Sequence, residues 1–209
     1  MKRFLPVTVL LFLAVGALPA SADTLFFENF DSENGGIWAL DYASFAEFDI
    51  ISGTVDLIGN GSPYDFLPGN GLYVDLDGST QNAGLMLATP IALTTPGDYV
   101  LSFDLAGNQR GYANDTVEVD IRLDGGPFYW AAYGTQSAMP FNTNEVHFSL
   151  SGPANLTFSF HNQGGDNVGA LLDNVKLTGP AAVPDGGATL MLLGAALAGL
   201  GWAGRRWRR

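Results

Sequence analysis

The sequence contains no cysteine and few basic residues. Lys and Arg together number 9, against 21 Asp and Glu, in 209 residues. Without cysteine the chain has no disulfide, no thiol nucleophile and no thiolate zinc site. Between positions 23 and 182 only Arg110, Arg122 and Lys176 are basic, against 20 acidic residues. We expect a domain with this excess of negative charge to repel nucleic acid and anionic membrane surfaces.

Motifs that indicate catalysis are also lacking. His147 and His161 are the only histidines, and neither has a metal-ligand spacing to a partner. No G-x-S-x-G motif is present, and the glycine-rich turns GGPFYW and GNGSP precede predicted strands rather than helices. They therefore do not resemble loops that bind phosphate at a helix N-terminus. These absences favour a protein that is not an enzyme.

The first 22 residues have the features of a signal peptide. Lys2 and Arg3 precede an apolar run that ends near Leu18, and the small residues Ala20 and Ala22 follow at the spacing that a signal peptidase recognises. We expect cleavage after Ala22 and export of the mature chain.

The last 27 residues combine an uncharged apolar segment with a basic end. Residues 188–204 carry no charge, and about 17 helical residues at about 1.5 Å each reach roughly 26 Å, close to the thickness of a bilayer core. Four arginines follow this segment: Arg205, Arg206, Arg208 and Arg209. Arginines beside an apolar span stay on the cytoplasmic side. The pattern predicts a transmembrane helix over about 188–204, with the N-terminus outside and the basic tail 205–209 inside.

A short motif lies before this segment, at residues 183–189. It begins with Val183, Pro184, Asp185, Gly186 and Gly187. With the apolar helix, the arginine cluster and the signal peptide, it resembles the PEP-CTERM sorting signal of Gram-negative bacteria, in its Val-Pro-Asp variant. The resemblance implies recognition by a membrane-embedded exosortase, which processes the protein near the motif. It also implies delivery to the cell surface or to the extracellular matrix.

The intervening residues 23–182 alternate between apolar and polar side chains. In TVEVDIRL, Val117, Val119 and Ile121 share one face and Glu118 and Asp120 the other. The same period of two recurs in about ten short segments separated by Gly-, Asn- and Pro-containing turns, and no convincing helical period is present. The pattern predicts one all-β domain, an antiparallel β-sandwich of jelly-roll type.

Three segments of this domain carry a second resemblance. The opening LFFENFD, the middle GLYVDLDGS and the closing GALLDNVKLTG are similar to galactose-binding-like jelly rolls, which are common among carbohydrate-binding modules. The resemblance implies that the first and last strands lie side by side and share a structural calcium ion. The matching positions are Glu28, Asp31 and Asp173. Alternatively, these three residues are solvated carboxylates on the surface.

Aromatic residues near polar loops suggest a sugar ligand. Tyr64 and Phe66 lie in the loop GNGSPYDFLPGNG, among Asn and Asp side chains. Aromatic rings stack on the C–H faces of sugars while amides and carboxylates bind the hydroxyls. Further candidates are Tyr112, Trp130 and Tyr133. Alternatively, each of these aromatics packs against the edges of the sandwich.

Two functions from different classes follow. The first is a non-catalytic carbohydrate-binding module that associates with exopolysaccharide or biofilm at the cell surface. The second is a structural surface or biofilm protein with no specific sugar ligand. Exposed aromatics clustered on one face favour the first, and a uniformly polar surface favours the second.

The arginine cluster generates a prediction about topology. Replacing Arg205, Arg206, Arg208 and Arg209 together with Ser should weaken membrane retention, because the cluster opposes translocation of the tail. Membrane and soluble fractions of expressing cells measure the effect. Unchanged membrane association and surface delivery would contradict it.

Overall fold

The computed structural model describes residues 22–80 and 82–181, together with Leu193, Gly194 and Leu197. Within this part of the chain, twelve strands form two packed sheets, and one short 3-10 helix spans Glu33–Gly35. The predicted all-β antiparallel sandwich is confirmed.

The strand bounds follow the predicted segments closely. They are β1 Ala22–Glu28, β2 Phe48–Ser52, β3 Asp56–Gly59, β4 Leu72–Asp75, β5 Leu85–Ala88, β6 Ile91–Leu93, β7 Gly97–Ala106, β8 Asp115–Leu123, β9 Gly126–Thr135, β10 Asn142–Leu150, β11 Ala154–Asn162 and β12 Leu171–Pro180.

The two sheets have six strands each, and every ladder between named strands is antiparallel. Sheet A has the order β10-β7-β12-β4-β3, with β1 also paired to β12. Sheet B has the order β2-β5-β11-β8-β9, with β6 also paired to β11. The chain changes sheet between most successive strands, as in a jelly roll.

Aromatic side chains fill the space between the sheets. The ring of Phe158, on β11, lies 5.4 Å from that of Phe26 and 6.0 Å from that of Phe48, both in edge-on geometry. Phe160 lies 5.1 Å from Phe103 of sheet A. Edge-to-face pairs of this kind add to the stabilisation from apolar burial. The inward-facing residues of the alternating strands thus supply most of the core.

The first and last strands pair directly, as the galactose-binding-like resemblance implied. Ala22 lies opposite Pro180, and Glu28 lies opposite Val175. The chain therefore enters and leaves the sandwich at the same end of sheet A.

The terminal segments lie almost entirely outside the described residues. This holds for the signal peptide, the motif 183–189 and the basic tail, and for all but three residues of the predicted transmembrane helix. Over the residues that the structure describes, no helix has both the length and the apolar character needed to cross a bilayer.

Candidate functional site

An open depression lies on the outer face of sheet B. On β8, β11 and β5, core residues alternate with side chains that point away from the core. Strand register places five outward residues in one row across the sheet, in the order Asp49, Leu87, Ser159, Asp120 and Trp130. At about 4.8 Å per strand, this row is roughly 19 Å long.

The groove has polar side chains on its two central strands, β11 and β8, and apolar side chains on the strands that flank them. Its volume is about 410 Å³. It is lined by Ile51, Leu85, Leu87, Glu118, Asp120, Arg122, Trp130, Thr157, Ser159 and His161. Trp130 is 61% exposed and Ile51 is 54% exposed. A second depression of about 360 Å³ adjoins it at His161. Together the two depressions offer an elongated open surface with stacking and hydrogen-bonding groups.

Acidic side chains dominate the charge of the groove. The Asp120 carboxylate accepts a hydrogen bond from Nε of Arg122 at 2.9 Å, and both side chains remain partly exposed. Oε2 of Glu118 lies 3.6 Å from Nδ1 of His161, and Oε1 accepts a hydrogen bond from Gln163. Arg122 is thus the only permanent cation among the lining residues, and it is already paired with Asp120.

A second, smaller site lies where the loops meet at one end of the sandwich. The rings of Tyr64 and Phe66 are 6.4 Å apart, and the guanidinium of Arg110 lies 5.0 Å from the centre of the Phe66 ring. Arg110 also pairs with the buried carboxylate of Asp75 at 2.5 Å. Burial raises the pKa of Asp75 to about 7, and the guanidinium opposes this shift. The cavity here holds only about 140 Å³.

The predicted sugar-binding residues are therefore divided among different places. Tyr64 and Phe66 come together at the loop end, whereas Trp130 lies in the groove on sheet B. Tyr112 is 60% exposed in the loop after Arg110. Tyr133 packs against the core, where its ring lies 5.3 Å from that of Phe103. For Tyr133 the interpretation as a packing residue is the one that holds.

The three predicted calcium ligands lie near the pairing of β1 with β12. Asp173 is 2% exposed, and its Oδ1 accepts the N–H of Asn174 at 2.7 Å. Burial raises the pKa of Asp173 to about 7, and the negative charges of Asp104, Asp31 and Glu28 raise it further. Glu28 and Asp173 are thus not the solvated surface carboxylates of the alternative interpretation.

The contacts of Glu28 and Asp31 complete this description. Oε1 of Glu28 accepts the N–H of Phe30 at 2.5 Å, and burial raises the pKa of Glu28. Asp31 is exposed, and its Oδ1 accepts the N–H of Leu72 at 2.9 Å. Within residues 22–80 and 82–181, no three acidic or histidine side chains converge closely enough to hold a metal by themselves. A calcium ion here would need backbone carbonyl oxygens or water as well, which calcium commonly accepts.

Sequence reasoning missed most of the groove. Ile51, Leu85 and Leu87 are apolar residues on an outer face, where the alternating pattern leads us to expect polar ones. A signal was present in LMLA of β5, where four successive apolar residues leave two of them facing outward. The pair of Asp75 and Arg110 had no such signal, because 35 positions separate the two residues.

The similarity of this chain to known proteins is confined to its fold. Neither a protein-family model nor a curated protein matches the chain. Among solved structures, it is similar to the CBM22-1 xylan-binding domain from Paenibacillus barcinonensis Xyn10C, at 13% identity over 77% of this chain and 96% of that one, with a TM-score of 0.47. It is also similar to a family 35 carbohydrate binding module from Clostridium thermocellum, at 12% identity over 75% and 100% of the two chains, with a TM-score of 0.46.

Buried Asp173 generates a prediction about pH. Its folded pKa of about 7 lies above the ordinary value of 3.8 for an aspartate, so between about pH 4 and 7 the folded protein retains a proton that the unfolded chain has lost. The free energy of unfolding therefore falls as pH rises through that window, because the folded state holds the proton more tightly than the unfolded chain does. With chelator present, Asp173→Asn should exceed the unsubstituted domain in stability at pH 8, by on the order of 2 kcal/mol, and match it near pH 4.

Urea denaturation of the sandwich at both pH values measures this difference. Asp49→Asn, at an exposed position, is the matched control and should show no such dependence. A pH-independent difference between the domain and Asp173→Asn would contradict the prediction.

Proposed function

We propose that this protein is a non-catalytic carbohydrate-binding module whose ligand lies in the groove on the outer face of sheet B. The observation that carries the proposal is Trp130, an indole 61% exposed in the middle of a long strand. Leaving so large an apolar surface in water forgoes the stabilisation that its burial would give. A sugar ring stacked on the indole recovers that stabilisation.

The surroundings of Trp130 also suit a polysaccharide. Glu118 and Asp120 offer acceptors on the neighbouring strand β8, and Thr157, Ser159 and His161 offer hydrogen-bonding groups on β11, the next strand across the sheet. Sugars present both apolar C–H faces and many hydroxyls, so they need this combination. The open, elongated shape favours a chain of sugars over a single enclosed unit.

The second candidate, a structural surface protein with no sugar ligand, accounts less well for this face. Such a protein needs only polar outward side chains. Here Ile51, Leu85, Leu87 and Trp130 stand outward together on one sheet. This is the clustering of exposed apolar and aromatic groups that distinguishes a binding face from a uniformly polar surface.

We also propose that the module is delivered to the cell surface or extracellular matrix, where it associates with exopolysaccharide or biofilm. The support is the sequence of the signal peptide and of the PEP-CTERM-like segment from Val183 to Arg209. In this proposal the C-terminal helix holds the protein in the membrane until an exosortase processes it.

Binding of glycans tests the role of the groove. On an array of soluble glycans, the purified sandwich should bind a set of polysaccharides, and Trp130→Ala should weaken that binding at least tenfold, because the stacking surface is lost. Tyr112→Ala is the matched control, since Tyr112 is equally exposed at 60% but lies outside the groove. Loss of binding in Tyr64→Ala or Tyr112→Ala, with Trp130→Ala unaffected, would assign the ligand to the loop end instead.

We further propose that Glu28 and Asp173, with Asp31 beside them, hold one structural calcium ion in the manner of galactose-binding-like modules. Two observations support the fit: both Glu28 and Asp173 are buried, and the charges near Asp173 are negative. Carboxylate oxygens are hard ligands that suit calcium. The ion would join β1 to β12 in a chain without disulfides.

Thermal denaturation with and without calcium tests this site. Calcium in hundredfold excess over its dissociation constant should raise the melting temperature by several degrees, corresponding to about 2.7 kcal/mol, and a chelator should reverse the shift. Asp173→Ala should remove the response, whereas Asp49→Ala should keep it. Equal melting temperatures in calcium and in chelator would show that Asp173 binds no calcium.

A further inference from the structure

Two carboxylates of β8 lie near Trp130, and only one of them is paired with a permanent cation. Trp130 lies directly opposite Asp120 in the pairing of β9 with β8. Glu118 follows two positions away on the same face of β8, about 7 Å along the strand. Arg122 neutralises Asp120, but Glu118 has beside it only Gln163 and an imidazole that carries charge only when protonated. A carboxylate that no permanent cation neutralises therefore stands next to the stacking platform.

The other charged groups of the domain do not offset the negative charge near Trp130. Asp49 adds a further carboxylate at the far end of the row that contains Trp130. Arg110 lies at the loop end, and Lys176 lies on β12 of the other sheet. The surrounding stretch 23–182 contains 20 acidic and only three basic residues. The potential in the groove therefore disfavours a uronate or a sulfate ester and favours a positively charged group.

An indole beside a carboxylate is a chemical arrangement suited to an ammonium group. The indole face attracts a cation and also stacks on a sugar ring, while the carboxylate accepts charge-assisted hydrogen bonds from the cation. A sugar that carries a free amine satisfies both groups within one residue, whereas a neutral sugar leaves the charge of Glu118 uncompensated.

We propose that the groove on sheet B selects a polysaccharide with free amino groups, such as a partly or fully N-deacetylated polymer of glucosamine, over neutral and acidic polymers. This inference rests on the proposed carbohydrate-binding function and specifies its ligand class. Trp130 would stack on the ring, and Glu118 would pair with the ammonium group.

A series of oligosaccharides that differ at one position tests the selection. The probes are β-1,4-linked hexamers of glucosamine, N-acetylglucosamine and glucose, with a hexamer of galacturonic acid as the acidic member. Isothermal titration is carried out at a pH at which the amino groups of the glucosamine hexamer are protonated. The full chain is used, in a detergent without a sugar head group. We expect the glucosamine hexamer to bind roughly tenfold more tightly than the glucose hexamer, and the galacturonate hexamer to bind least.

Two matched variants separate local pairing from the net charge of the domain. Glu118→Gln should reduce the ratio of the glucose-hexamer to the glucosamine-hexamer dissociation constant to about two. Glu145→Gln removes the same charge beside His147, at 3.0 Å, on sheet A, and should leave the ratio near ten. Hexalysine, a cation without sugar rings, should bind much more weakly than the glucosamine hexamer.

Several results would overturn this inference. An equal loss of preference in both variants, or equally tight binding of hexalysine, would mean that net charge alone attracts the polymer. If the glucose and glucosamine hexamers bind with equal dissociation constants, and Trp130→Ala abolishes the binding of both, the amine selection is refuted. The carbohydrate-binding function would then still stand. If none of the hexamers binds, the selection fails, and the glycan array decides the broader function. A dimer that dissociates in Trp130→Ala, seen by sedimentation, would assign the groove to a second copy of the chain.

Discussion

The alternation of side chains along the strands of sheet B is the constraint on which the groove depends. The central groove residues of β8 and β11 stand between core residues of the same strand: Asp120 lies between Val119 and Ile121, and Ser159 lies between Phe158 and Phe160. Those neighbours are fully buried, so the backbone that carries the groove has little freedom. A ligand that binds there does not have to order a loop, which lowers the entropic cost of binding. The aromatic core thus holds the outer face in a binding-competent arrangement.

Two acids of sheet A are unusual because they are buried. Glu28 follows Phe26 at a spacing of two on β1 and pairs with the core residue Val175, so its carboxyl group falls on the core side. Asp173 instead pairs with Asp104 on the opposite face of sheet A, and a bulge follows it on β12. Burial without a cation raises the pKa of each, a state that costs stability when the groups ionise. A protein that placed these residues only for stability would carry apolar side chains there. These two buried acids on adjacent strands are the basis of the calcium proposal.

Much of the fold, but less of the site, could be predicted from the sequence. Strands such as β8 and β11 were predictable because their period of two is uninterrupted, and both sheets follow from many such strands. Trp130 and Tyr133 were both candidates for sugar binding, but they point to opposite faces of β9. Tyr133 points inward with Tyr129, and the hydroxyls of these two residues share a hydrogen bond of 3.0 Å. Trp130 has the opposite phase on the strand and points outward. Ile51, Leu85 and Leu87 join Trp130 only through strand register, which the sequence alone does not determine.

The placement of the chain ends makes the groove compatible with a tethered protein. β1 and β12 belong to sheet A, and Ala22 lies opposite Pro180 at the end of their ladder. The groove lies on the outer face of sheet B, on the other side of the core. Only Ala181 and Ala182 separate Pro180 from Val183 in the chain, so a tether at the C-terminal segment would hold the sandwich close to its attachment point. Because that point belongs to sheet A, such a tether would leave the broad outer face of sheet B accessible to a long polymer.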